Sequence, residues 1–199
     1  MLRFFNSVQD VSNEQMQELW AKILAGEIKK PSTYSLRTLD ALHNISTEEA
    51  KTFQKLCSYK VVSGCHTFIP DEKSIYEQYE IDFEDILRME ECGLLNTTGF
   101  LSLNKNIPTE YRIIFKSTSN VVVVKSKIEN EVKIALSHYP FTSTGIEISK
   151  IFNTGNNDEY ILDYARLIKE KNQNIEVLAY RIVREDEDGI TYQQKDLLQ

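Results

Sequence analysis

The chain is 199 residues long with a formal charge of −7, and its 41 % hydrophobic and 10 % aromatic content is enough for one large core or two small ones, which describes a folded, soluble protein. No apolar run approaches the length needed to cross a bilayer, and the opening residues lack the apolar core and small-residue cleavage site of a secretory signal, so the expected location is the cytoplasm. Three cysteines, Cys57, Cys65 and Cys92, are an odd number at irregular spacing, which suits reduced thiols better than a disulfide framework.

Residues 11–56 predict three helices. The first opens on a capping box, Ser12 with Gln15, between staple positions Val11 and Met16. Met16, Leu19, Trp20, Ile23 and Leu24 recur at helical spacing and make its apolar face, with Gln17, Glu18 and Lys22 opposite; Gly26 and Pro31 are expected to end it. The second helix starts near residues 32–35 and should bury Leu36, Leu39 and Leu42. The third starts at Ser46, whose box partner is Glu49, and should bury Ala50, Phe53 and Leu56. Connections this short make the helices antiparallel neighbours, an amino-terminal helical bundle.

The runs MQELWAKILAGEI, PSTYSLRTLDAL and ISTEEAKTF resemble the signature of an uncharacterised bacterial and prophage family, a domain of unknown function with no established activity. The matching positions are Met16, Gln17, Trp20, Leu24, Gly26, Glu27, Pro31, Ser35, Leu36, Arg37, Thr38 and Leu39, within roughly the first 55 residues. The resemblance implies a prophage or phage-defence setting and supplies no reaction. Because the chain opens almost directly on the signature, the resemblance also implies a short member or a carboxy-terminal piece.

Downstream, residues 61–70 contain Gly64 and Pro70 and predict a loop or a brief strand; a helix is expected over 72–79. The next helix has Ile81 and Ile86 as staple positions around an Asp82 cap and Gly93 as its left-handed stop, with Leu94 folding back on Met89. A turn at 96–99 and an alternating strand over 100–104 follow, the order of a winged-helix-like segment. Its helix, however, sets Asp82, Glu84, Asp85, Glu90 and Glu91 against a single Arg88, which repels phosphates and disfavours duplex DNA.

Residues 111–138 predict three strands in an antiparallel meander, and the four valines at 121–124 predict a strand covered on both faces. A helix capped by Thr142 or Ser143 follows, with Ile148, Ile151 and Phe152 inward; its T-S-T-G-I-E-I run supplies a cap and a glycine allowing close backbone approach. A second helix buries Ile161, Leu162, Ala165 and Ile168, then a long strand over 175–183 turns at Asp188-Gly189 into a short one over 190–193. The expected fold class is α+β: an amino-terminal helical bundle leading into a winged-helix-like segment, then a small, mostly antiparallel sheet with two helices. The expected domains are residues 1–106 and 107–199.

Phosphate-loop, dinucleotide, zinc-protease, C-x-x-C and nucleophile-elbow motifs are all lacking. Cys57, Cys65, His66 and Cys92 match no zinc template, so no metal or cofactor is expected. His43 ends a helix, where the dipole favours a cation, and His138 has no carboxylate or cysteine near it in sequence. Trp20, Tyr34 and Arg37 are the candidate interaction residues, being of the types enriched in binding hot spots, although Trp20 shares a face with Met16 and Ile23 and so also reads as core. The expected function is therefore non-enzymatic, a protein-interaction or regulatory module with a protein partner or self-association. The alternative is a nucleic-acid-binding transcriptional regulator using the winged-helix-like segment or the strands of residues 106–140, whose net charge is +2.

Overall fold

A computed structural model describes residues 14–31, 33–97, 105–107, 111–129, 132–152, 157–186, 189–193 and 195–198. The expected Ser12 capping box and the strand over 100–104 lie outside these residues. Among those described, seven helices and two antiparallel sheets, one of seven strands and one of two, make the chain α+β. It divides into two compact units, each assembled from separated segments: Met1–Cys57 with Phe83–Thr97 and Phe141–Thr154, and Ser58–Asp82 with Thr98–Pro140 and Gly155–Gln199.

The first unit is helical. Its helices are α1 (Glu14–Lys29), α2 (Leu36–Asn44), α3 (Thr47–Cys57), α5 (Phe83–Glu91) and α6 (Ser143–Ser149); α4 (Lys73–Tyr79) belongs to the second unit. The α3 capping box forms as the spacing requires, with the Ser46 N–H donating to Glu49 Oε2 at 2.7 Å and the Glu49 N–H donating to Ser46 Oγ at 3.2 Å. Ala50, Phe53 and Leu56 are buried, and α3 packs against α5 and α6. Helix α5 ends in a Schellman turn: Gly93 takes φ 70°, its N–H donates to the Glu90 carbonyl, and the Leu94 N–H reaches back to the Met89 carbonyl.

Two expectations fail in this unit. Gly26 does not stop α1, which runs on to Lys29; its missing Cβ instead admits the Tyr34 ring, 3.1 Å from where that carbon would sit. Leu36 is not buried but 71 % exposed. It is the first residue of α2, and the inward stripe is Thr38 and Leu42, one turn apart, which leaves Leu36 on the opposite side.

The second unit carries the main sheet, ordered β7-β2-β1-β4-β5-β8-β9, from strands β1 (Val61–Ser63), β2 (His66–Pro70), β4 (Arg112–Lys116), β5 (Asn120–Ser126), β7 (His138–Pro140), β8 (Ile175–Asp186) and β9 (Gly189–Tyr192). Residues 61–70 are thus a complete hairpin, turned at Gly64 with φ 60°, rather than a loop or one strand. Val121, Val122, Val123 and Val124 are all buried, as a strand covered on both faces requires, and β5 lies between β4 and β8. Helix α7 (Asp158–Lys171) packs on β5 and β8 and buries Ile161, Leu162, Ala165 and Ile168; α4 (Lys73–Tyr79) packs beside it.

The third strand of the expected meander goes elsewhere. β6 (Val132–Ile134) leaves the main sheet to pair with β3 (Lys105–Ile107), and His138–Pro140 pairs with β2. The place beside β5 is taken by β8, whose Val177 and Ala179 extend the buried row of Val124 and Val122.

Candidate functional site

Of the three candidate interaction residues, Tyr34 and Arg37 sit at the α1–α2 corner of the first unit and Trp20 lies within α1. Trp20 is a core side chain, 2 % exposed, beside the fully buried Ile23. Tyr34 is half-buried and Arg37 exposed, so only these two of the three face outward. Tyr34 is held by its own backbone, whose N–H donates to Glu27 Oε1 at 2.8 Å, and by its ring lying on Gly26. Burial first, then the charges of Glu27 and Glu147, push its phenol above the ordinary range, so it stays neutral at physiological pH. Ile28 and Leu36, 73 % and 71 % exposed, lie on either side of it in sequence.

Glu147 of α6 anchors this corner. Its Oε2 accepts the Ser35 N–H at 2.9 Å, at the point where Ser35 Oγ caps α2 by accepting from the Thr38 N–H. Burial alone would raise the Glu147 carboxyl; the bonds from Ser35 and Thr38, with Lys150, outweigh it and hold the group below its usual value. A carboxylate at a helix amino terminus also answers the positive end of the dipole.

A second feature of the same unit is a cleft of about 380 Å³ lined by Ala41, Asn44, Ile45, Glu49, Glu91 and Cys92. Burial, the Glu49 charge, a hydrogen bond to the Glu49 carboxylate and Glu91 push the Cys92 thiol up to about 11, against a smaller pull from Arg88. Cys92 is therefore a protonated donor at neutral pH rather than a thiolate nucleophile. Of the other thiols, Cys57 is buried and Cys65 exposed. Among the described residues no three His, Cys, Asp or Glu side chains are placed to hold a metal ion.

The second unit gathers tyrosines that the sequence reading passed over. The rings of Tyr59, Tyr79 and Tyr160 lie within 4.9 to 5.9 Å of one another, centre to centre, and Tyr164 meets Phe115 edge-on at 6.0 Å. Asp163 ties α7 to α4, accepting from Gln78 Nε2 at 2.6 Å and from the Tyr79 hydroxyl at 2.7 Å, and it pairs with Arg166 on its own helix. The hydroxyls of Tyr76, Tyr160 and Tyr164 are buried without a hydrogen-bond partner among the protein's own atoms. Burial above all raises all three phenols, so they are neutral donors and acceptors. The Tyr160/Tyr164 spacing of four on one helix was the available signal, but the same spacing describes an ordinary core stripe.

His138 is buried on Phe68, with ring centres 4.8 Å apart and Nδ1 3.2 Å from the Leu136 carbonyl. Burial lowers its pKa against that hydrogen bond, with His66 adding to the fall, so the ring is neutral and Nδ1–H donates. Of the four lysines at 116, 125, 127 and 133 in the positive strand region, Lys116 pairs with Glu185, and Lys125 with Glu176 at 2.7 Å. No helix among the described residues is long and apolar enough to cross a membrane.

A family model described as "Protein of unknown function (DUF2806)" matches residues 1–165. No curated protein matches the chain, and no solved structure does.

Proposed function

Since the chain belongs to the DUF2806 family of proteins of unknown function, we propose, from its own residues, that it is a non-enzymatic protein-interaction or regulatory module acting in a prophage or phage-defence setting. The observation that carries this reading is the α1–α2 corner, where Ile28 and Leu36, more than two thirds exposed, lie in sequence on either side of half-buried Tyr34, and exposed Arg37 follows Leu36. Tyr and Arg are the side chains that most often anchor protein interfaces, and two large aliphatics held out in water beside them give a partner apolar area to cover. The setting rests on the resemblance of the signature. In this reading the amino-terminal helices act as a bundle and α5, with its Gly93-Leu94-Leu95 turn, as a winged-helix-like segment used for protein contact, since its acidic side chains repel nucleic acid.

The test compares the wild type with a Leu36→Asp/Arg37→Glu variant by light scattering over a concentration series and by affinity co-purification, with circular dichroism to confirm folding. Mass that grows with concentration, or a co-purifying protein, lost in a folded variant, is the expected result. Unchanged behaviour in the variant, together with salt-sensitive binding of a labelled duplex or single strand, overturns it in favour of a nucleic-acid-binding regulator.

A further inference from the structure

We propose that the hydroxyls of Tyr76, Tyr160 and Tyr164 form a buried polar site in the second unit that holds internal water. Tyr160 and Tyr164 stand one turn apart on α7, so both project from one face, and Tyr76 comes from α4, which packs against that helix. Tyr160 and Tyr164 are each only 1 % exposed, and none of the three oxygens has a hydrogen-bond partner within the protein. Buried hydroxyls are ordinarily satisfied by protein or by ordered water, and these three fall on two adjoining helices. The Tyr76 and Tyr164 hydroxyls both oppose ionisation of Tyr160.

The chemistry of the surroundings selects the occupant. Each neutral phenol offers one donor and spare acceptor capacity, so the molecule shared among them must both accept and donate. An anion is disfavoured, because Glu72 lies near Tyr76 and Tyr164, and Asp71 near Tyr76. A cation gains little, since Glu72 is already paired with Lys171 at 2.6 Å and Asp71 is hydrogen-bonded by Tyr139. The packed rings of Tyr59, Tyr79 and Tyr160 leave large ligands no place alongside. Water meets every condition, and buried waters characteristically bridge two to four polar groups. The site belongs to the second unit and the α1–α2 corner to the first, so the inference does not rest on the proposed function.

Two measurements on the full chain test it together: nuclear Overhauser transfer from long-lived water to the Tyr160 and Tyr164 protons, and urea unfolding of Tyr160→Phe, Tyr164→Phe and the double variant. The expected outcome is a water signal in the wild type that disappears in the variants. Each single variant should lower the folding equilibrium constant roughly threefold to tenfold, and the double variant should lose less than the product of the two, because the first change already releases the shared molecule. Phe variants that are as stable as the wild type or more so would show orphan hydroxyls and overturn the proposal. Lost stability without a water signal would mean direct tyrosine contacts, and a water signal that persists in the variants would place the water elsewhere; either also overturns it.

Discussion

Gly145 shows how much one missing carbon can carry. A Cβ at that position would lie 2.1 Å from the Leu94 carbonyl oxygen, a backbone atom that cannot swing aside, while Thr142 next to it donates its hydroxyl to the Gly93 carbonyl and its N–H to that of Leu94. Gly145→Ala should therefore cost at least the 1–3 kcal/mol typical of overpacking, roughly, seen as a lower urea midpoint with an unchanged slope. His138 yields a second expectation. Its folded pKa lies below the ordinary 6.5, so the unfolded chain takes up protons first, and stability should be full above about pH 6.5 and drain as pH falls from there toward the depressed value. His138→Phe keeps a ring against Phe68 and should flatten that part of the stability-pH curve, as urea titrations between pH 7 and 5 would record. At this scale the sequence was read well where a residue type answers one local need, as with Gly93 or the glycine of T-S-T-G-I-E-I. It was read poorly where a side chain's direction decides, as with Leu36, or where groups from two helices converge, as with Tyr76, Tyr160 and Tyr164.

Helix ends were the most legible elements, because their signals act over three or four residues. The Ser46/Glu49 box, the Thr142 cap, which accepts the Gly145 N–H at 3.0 Å, and the Gly93 stop all form as read. Ser46→Ala should accordingly cost about 1 kcal/mol and raise amide exchange in the first turn of α3 more than elsewhere in that helix, a pattern hydrogen exchange would detect. Glu49 adds a pH signature: the Ser46 N–H and hydroxyl hold its carboxyl below the usual value, so the box's contribution persists near neutrality and is lost only as pH falls through the acid range. Strand partners were less legible. Val132–Ile134 and His138–Pro140 have plain strand composition, but nothing local says that the first must find Lys105–Ile107 and the second His66–Pro70. Pairing is settled by which apolar faces a strand can cover, a choice made across the chain rather than along it.

For the whole molecule, the α+β class follows from the alternation of the two periodicities, whereas the grouping of segments does not. Helix α6 completes the first unit from far along the chain: Phe141 and Phe152 flank Phe53 at 5.6 and 6.0 Å, and Glu147 binds the Ser35 N–H. A fragment of residues 1–106 lacks all three contacts. It should melt well below the full chain, with near-ultraviolet dichroism of Trp20 weakened, and a peptide of residues 138–152 added in excess should restore part of the loss.

The chain passes from one unit to the other at residues 57/58, 82/83, 97/98, 140/141 and 154/155. On the ribosome, the first unit thus stays incomplete until the α6 segment has emerged, although its other helices lie well ahead of it in the chain, and for that interval Phe53 must wait for its aromatic neighbours. In heredity the same weave acts as a lock. A recombination event that joins this chain to another at any single point within residues 58–154 divides both units, so the two halves of the molecule are exchanged, duplicated or lost as one.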